Sequence, residues 1–295
     1  MIMCDAHLEQ LREKRRQWIE CLDGEDDNSI TNQLTKMTWN ITAFRVLMEN
    51  AFDLAPVAEE GGKQLNWLLF GLLQESFLES LLLGLRRLMD PAVLAGPRGV
   101  CSLVSLLRDI GNHAHLLTRD AIIQLGPPDG IMKDGNHGDM FLQAWRCIRN
   151  RLIDELTRRP HDWIPRELFD RRRETLEKTF KDLEPLINTK IAHAATVESC
   201  KSRPRFDYPK ILWSHLYDLH GDLCKTAHFL HNLICETGMN SFLPVFQGHE
   251  FQYLSRPIVA KKDLQGLADR WAELQAGYES WSNWRPGTSA GQNSV

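Results

Sequence analysis

The spacing of the apolar residues is the strongest constraint on this 295-residue chain, because most of it follows the period of an α-helix. One example is the row Leu176, Phe180, Leu183, Ile187 and Ile191, which would lie along one helix face. Glycine and proline separate such rows, and no alternating run predicts a major sheet. We therefore expect an all-α fold with helices near residues 5–22, 30–53, 63–89, 101–124, 139–157, 165–198, 210–236 and 261–282.

Breaks in this pattern predict how the chain is organised. We expect an N-terminal helix over residues 1–28, a helical bundle over 29–236, a helical C-terminal appendage over 237–284 and a frayed tail over 285–295. The helix near 63–89 is apolar nearly all round, which predicts a central and buried position. It is expected to end at Asp90-Pro91, since the residue before a proline leaves the helical region.

Composition and charge bear on where the chain works. The net charge of −4 gives no general attraction to nucleic acid, so any RNA contact needs a local basic patch. The first residues lack the basic and then apolar pattern of a secretion signal, and the apolar run 67–73 is far shorter than the ~20 residues that a bilayer needs. Seven scattered cysteines without a Cys-x-x-Cys pair indicate reduced thiols. We expect a cytoplasmic protein with no membrane contact.

Two segments carry a family resemblance. The first is a leucine-rich helix, Gln74 to Met89, that closes in Arg86-Arg87 followed by Asp90-Pro91. The second is Leu186 to His193, in which Asn188 stands five residues before a histidine that follows an alanine. Together they resemble the AbiU-like branch of the HEPN superfamily, found in bacterial abortive-infection systems, over roughly residues 35–236. The resemblance implies a HEPN-like helical bundle that forms a homodimer.

The resemblance also implies a site and its chemistry. In this family an arginine, a polar residue and a histidine bind RNA, and active members cut it without metal or cofactor. Histidine can move the proton of the attacking 2′-hydroxyl, and arginine can hold the phosphate. The alignment assigns proton transfer to His193 and the polar role to Asn188, with Lys190 as the nearby cation. Ile187 stands where the family has arginine, and its place on the apolar stripe predicts a core residue.

A second match to the arginine–histidine pattern lies elsewhere in the chain. Arg108 is followed by Asp109 and, five residues on, by His113, with His115 just beyond. Gly111-Asn112 between them is typical of a helix terminator. The sequence leaves open which of the two matches is the site.

A basic segment supplies candidate RNA contacts. It runs from 146 to 173, is flanked by Trp145 and Trp163, and holds nine arginines against five acids. The alternative is a set of solvated helix faces whose tryptophans pack inward. The RNA-binding candidates are Arg146, Arg149, Arg151, Arg171, Arg172 and Arg173.

Four residues on the helix near 210–236 suggest a different function. His220, Cys224, His228 and His231 could share one face, which invites a metal-binding hypothesis. Four ligands along one straight helix cannot surround one ion, so a core-lining or solvated face is the simpler interpretation and we assign no metal site.

Three functions remain open at this stage. The first is a defence- or toxin-class HEPN protein that binds RNA, with cleavage if the site is active, and that pairs with a cognate antitoxin or defence partner. The second is a catalytically silent HEPN scaffold for a partner protein or nucleotide. The third is a metal-binding helical protein.

Overall fold

The computed structural model confirms the all-α prediction. Within the part of the chain that it describes, residues pack as helices, and the one extended feature is an isolated bridge between Thr118 and Trp163. The described residues are 5–49, 66–94, 96, 99–125, 147, 150–157, 162–187, 213–235, 241–245, 265–266, 268–270 and 272–273. The α-helices are α1 (Asp5–Asp23), α2 (Ile30–Phe44), α3 (Trp67–Leu88), α4 (Leu103–Asn112), α5 (Arg119–Leu125), α6 (Arg166–Ile187) and α7 (Trp213–Ile234).

The boundaries of α1 and α2 follow local chemistry. Helix α1 ends at the Asp23-Gly24 turn, where the Gly24 amide donates to the Glu20 carbonyl at 3.0 Å. Ser29 caps α2, since its hydroxyl accepts from the Asn32 amide. The helix widens into a π-helical turn over Arg45–Glu49, so the α-helical part is shorter than the predicted 30–53.

Helix α4 is buried along most of its length and makes its largest interface with α6. Ser102 and Ser105 form a reciprocal capping box at its start, and the Ser102 hydroxyl also donates to the Asp90 carbonyl at 2.5 Å. It ends at Asn112, as Gly111-Asn112 predicted, and a short 3-10 turn over Ala114–Leu116 and then α5 replace the single helix expected over 101–124. The side chains buried along α4 are Leu103, Val104, Ser105, Leu106, Leu107 and Ile110.

Helix α3 corrects the prediction of a helix buried on all sides. One face of its second half lies in the core, whereas its first two turns expose large apolar side chains: Trp67 is 59% exposed and Leu68 is 68% exposed. By length and composition this 22-residue helix could also cross a membrane, a test that core helices of soluble proteins pass as well. The apolar run 67–73, which is too short to cross a bilayer, is therefore only part of a longer apolar helix. The buried residues are Leu81, Leu82, Leu85 and Leu88.

Helix α7 closes the bundle by packing against α1, α2 and α6. The Phe229 ring of α7 packs against the Phe169 ring of α6, with 6.3 Å between the ring centroids. Arg15 of α1 donates to the Ile234 carbonyl at 2.9 Å, which places a cation at the carboxyl end of α7 where the helix dipole favours it.

The chain divides into two compact units, Met1–Pro244 and Val245–Val295. The first holds the named helices α1 to α7. In the second, residues 265–266, 268–270 and 272–273 are helical and the predicted tail 285–295 lies outside the described residues.

Candidate functional site

The residues first assigned to catalysis, Asn188, Lys190 and His193, lie outside the described residues. Their neighbour Ile187 is described, and its side chain is 1% exposed, packed in the core with Leu176 and Leu183 at 2% each. The prediction that Ile187 is a core residue is therefore confirmed. The position that the resemblance aligns with the family's arginine therefore faces the interior of this bundle.

The second match lies in a cluster of polar contacts between α1 and α4. Lys14 of α1 places Nζ 3.1 Å from Oδ2 of Asp109, and the Trp18 indole Nε1 donates to the same oxygen at 2.7 Å. His113, at the end of α4, lies 3.6 Å from Oδ1 of Asp109. We call Lys14, Trp18, Asp109 and His113 the Asp109 cluster. It is partly open to solvent, since the side chains of Lys14, Asp109 and His113 are 21%, 20% and 24% exposed.

The contacts of His113 fix which of its ring nitrogens carries a proton. Nδ1 lies 2.7 Å from the backbone carbonyl of Asp109, and a carbonyl oxygen can only accept. Nδ1 therefore donates, which leaves Nε2 of the neutral ring as the proton acceptor. The ring also leans on Trp18, at 6.4 Å between centroids, and lies 6.3 Å from His115.

Arg108 connects this site with the first segment of the family resemblance. Its Nη1 donates to the Pro91 carbonyl at 2.6 Å, and Pro91 belongs to the Asp90-Pro91 ending of the leucine-rich helix. No acidic side chain pairs with Arg108 among the described residues, so its guanidinium keeps donors for a phosphate. Arg108 and His113 are five positions apart on one helix, about 140° around its axis. A ligand that touches both would lie across the last turn of α4.

The start of α6 lies against the same end of α4. A Cβ built on Gly111 would lie 3.5 Å from the Cβ of Phe169 and 3.8 Å from the Cγ of Arg166, so the small residue permits this close packing. The part of the candidate basic segment at the start of α6 therefore lies beside the carboxyl end of α4.

The candidate RNA-binding arginines differ in whether they pair with acidic side chains. Arg173 pairs with Asp170 at 3.4 Å and Glu177 at 3.6 Å, and Arg151 pairs with Glu155 at 3.3 Å. Arg171 and Arg172 are exposed and have no acidic partner among the described residues. Arg146 and Arg149, with Trp145, lie outside the described residues. Trp163 is 60% exposed, so it does not pack inward and offers a stacking surface.

The residues of the metal hypothesis have protein partners instead. The Thr38 hydroxyl donates to the Leu34 carbonyl at 2.7 Å, so its oxygen accepts from Nε2 of His220 at 3.0 Å. Burial lowers the pKa of His220 to about 4 and raises the pKa of Cys224, whose sulfur lies 3.5 Å from the same nitrogen, to about 11. Within the described ranges, no group of three or more metal-ligating side chains shares a site.

The other two histidines of that face also have partners. His231 Nε2 lies 2.8 Å from the Thr31 hydroxyl and 3.8 Å from Asp23, and His228 packs on the Phe242 ring at 4.8 Å between centroids. Burial lowers the pKa of both imidazoles. Sequence reasoning missed the threonine partners, although Thr31 and Thr38 are seven positions apart, which places both on one face of α2.

An open groove of 720 Å³ lies between α2 and α3. Its charged lining residues are two cations, Lys36 and Arg87, and two acids, Asp27 and Glu79. These charges cancel, so the groove has no net attraction for a polyanion such as RNA.

Comparisons with protein-family models, with curated proteins and with solved structures found no match to this chain. The assignment of a site therefore depends on the geometry above and on the sequence resemblance. Lys14 and Trp18 are the site residues that sequence reasoning missed. Only the fold brings α1 beside α4, ninety residues on, so no local pattern could have shown them.

Proposed function

We propose that the protein is an RNA-binding HEPN protein of the defence or toxin class, and that its active centre is Arg108, Asp109 and His113. The observation that carries the proposal is the contact of Asp109 with His113, which sets the ring tautomer and leaves Nε2 as a base. The sequence resemblance supplies the substrate class. The buried Ile187 argues against a site built around His193.

The chemistry follows from the tautomer. Nε2 of His113 would take the proton of a ribose 2′-hydroxyl, whose oxygen then attacks the adjacent phosphorus while the bond to the 5′-oxygen of the next nucleotide breaks. Arg108 would hold the phosphate oxygens as negative charge develops on them. The leaving 5′-oxygen takes up a proton, which Nε2 of His113 returns directly or through water. The products are a 2′,3′-cyclic phosphate and a free 5′-hydroxyl, and Nε2 of His113 is again a proton acceptor.

A cleavage assay with a matched histidine control tests this centre. The full chain is incubated with single-stranded RNA, with and without EDTA, and the ends of the products are identified. We expect cleavage that EDTA does not reduce, and a loss of about 10²–10⁴-fold in His113→Ala. His115→Ala removes an exposed neighbouring ring and keeps the activity. Equal activity in both variants would refute the assignment, and wild-type protein that binds RNA without cutting it would favour the silent scaffold.

The arginine contacts need a separate binding measurement. Arg171 and Arg172 are exposed and have no acidic partner among the described residues, whereas Arg151 pairs with Glu155. We expect the double variant Arg171→Ala/Arg172→Ala to weaken RNA binding. The slope of log affinity against log salt concentration should become shallower by about 0.7 for each phosphate contact that is lost. Arg151→Ala serves as the control with little effect. Identical salt slopes for both variants would exclude the first turns of α6 from the interface.

Homodimer formation through α3 is part of the same proposal. The exposed side chains of its first two turns form an apolar surface of the kind that protein interfaces bury. Leu68→Glu changes the most exposed of these leucines, so it is expected to give a monomer in light scattering while the fold persists. A dimer that tolerates this change, or a wild-type monomer at tens of micromolar, would refute this interface. The exposed residues are Trp67, Leu68, Leu72 and Leu73.

A further inference from the structure

The extended backbone around Trp163 lies against the segment that follows the proposed active centre. Trp163 and Thr118 form the isolated bridge. Next to it, the Ile164 amide donates to the Leu117 carbonyl at 3.0 Å. Thr118 comes five positions after His113, so the Cα atoms of these two residues are at most about 18 Å apart. The backbone contacts therefore fix Trp163 within reach of an RNA strand that is bound at His113.

The side chain of Trp163 is open to solvent although its backbone is held. Its indole is 60% exposed. A flat apolar ring in contact with water is a surface that an unstacked nucleobase can cover. Because the backbone is already held on both sides of the ring, binding a base there costs little additional conformational entropy. Trp163 is therefore a preformed stacking surface.

A pocket of 530 Å³ opens beside this indole. Its volume falls within the range of about 300–1,000 Å³ that is typical of small-molecule sites. The lining combines apolar side chains, on which a ring can pack, with side chains that carry oxygen acceptors. The apolar residues are Leu156, Trp163 and Pro165, and the polar residues are Glu155, Thr157 and Asp162.

The polar side of the pocket offers acceptors to a ligand. Oε1 of Glu155 accepts from Nε of Arg151 at 3.3 Å, which leaves Oε2 without a partner among the described residues. The Thr157 hydroxyl donates to the Ile153 carbonyl at 2.7 Å, so its oxygen can only accept from a ligand. Asp162 adds a second carboxylate. A matching ligand is therefore a flat ring whose edge carries hydrogen-bond donors.

We propose that this pocket binds one unstacked nucleobase of the RNA and prefers guanine, an inference that rests on the RNA binding proposed above. The base stacks on the indole of Trp163, and its edge meets the carboxylate of Glu155 or Asp162. Guanine presents two adjacent donors, N1–H and the N2 amino group, which one carboxylate accepts together. Uracil presents one donor between two carbonyls, which a carboxylate repels.

The charge of the pocket decides which part of the nucleotide enters it. Both charged residues of its lining, Glu155 and Asp162, are acids. A phosphate is repelled by these carboxylates, whereas a nucleobase is uncharged. The base therefore enters the pocket and the phosphates of the strand stay outside it.

Anisotropy measurements with oligomers that cannot be cleaved test this pocket. The full chain is titrated with two short, labelled 2′-O-methyl oligomers of equal length, one of uridines alone and one with a single central guanosine. The methyl group blocks the attacking oxygen, so affinity is measured without cleavage. We expect the guanosine oligomer to bind about 5- to 150-fold more tightly, as for one bidentate base contact.

Substitutions at the ring and at the carboxylate separate the two contacts. Trp163→Ala is expected to weaken binding of the guanosine oligomer by about 5- to 150-fold, and Trp163→Phe, which keeps an aromatic face, to restore most of it. The control Trp39→Ala changes an exposed tryptophan of α2 that does not line the pocket, so the guanosine preference stays. Glu155→Gln is expected to reduce the ratio of the two affinities, because it removes a carboxylate that accepts from guanine.

The outcomes that overturn the proposal differ from those that overturn RNA binding itself. Equal affinity of the wild-type chain for the two oligomers would exclude the base pocket and leave RNA binding in place. Binding of neither oligomer would refute both. A guanosine preference that persists in Trp163→Ala and in Glu155→Gln would assign the selective contact to another part of the chain. Glu155 is exposed, so its variant keeps the test decisive even if Trp163→Ala fails to fold.

Discussion

Lowering the pH toward about 5 is expected to destabilise the protein through His220. Its side chain is 8% exposed, and burial lowers its pKa from 6.5 to about 4. The unfolded state therefore binds the proton first as the pH falls, so the stability present above about pH 6.5 is lost progressively toward pH 4. A pKa change of this size corresponds to about 3 kcal/mol on full titration, of which about 2 kcal/mol is lost between pH 7 and pH 5.

Groups near His220 and on the same helix also affect how the stability of the protein depends on pH. Burial also lowers the pKa of His231, whose Nδ1 has no hydrogen-bond partner among the described atoms, so this residue adds a loss of the same sign. Asp23, 3.8 Å from Nε2 of His231, opposes that loss because its charge raises the pKa. Cys224 stays a neutral thiol over this range because burial raises its pKa.

Urea unfolding followed by circular dichroism at about pH 7 and about pH 5 measures the effect. We compare the stability difference between the two pH values in the wild type, in His220→Gln, which cannot titrate, and in His215→Gln, which changes an exposed histidine of the same helix. The loss in His220→Gln is expected to be about 2 kcal/mol smaller than in the other two proteins. Equal losses of stability in all three proteins would show that burial does not lower the pKa of His220.

Three further changes test the packing. Ile187→Arg buries an unpaired charge, so we expect the free energy of unfolding in urea to fall by about 3–5 kcal/mol. The control Glu184→Arg, at an exposed position of α6, is expected to stay near the wild-type value. A stable Ile187→Arg protein would contradict the burial of this apolar stripe. Ser102→Ala removes the cap of α4 and a donor to the Asp90 carbonyl, so its melting temperature should drop by an amount equivalent to about 1–2 kcal/mol; no change would mean that the capping box does not form. Asp109→Asn removes the charge that pairs with Lys14, for an expected cost of about 1–3 kcal/mol in chemical unfolding, and unaltered stability would indicate that the ion pair is absent in solution.

The sequence by itself determined which segments are helical and where most of them end. These features depend on contacts within a few residues: the Ser29 cap bonds three positions on, and Gly24 and Asn112 end their helices through local backbone geometry. The burial of Ile187 was also predictable, since an apolar stripe with helical spacing needs only a neighbouring surface to cover it.

Only the tertiary structure decided which side chains meet. Asp109 and His113 are four positions apart and could be paired from sequence, but the bonds from Lys14 and Trp18 depend on how α1 packs against α4. The threonine partners of His220 and His231 depend in the same way on the packing of α2 against α7. The exposed first turns of α3 could not be predicted for a different reason. The sequence shows how apolar the surface of a helix is, but burial depends on whether another surface covers it.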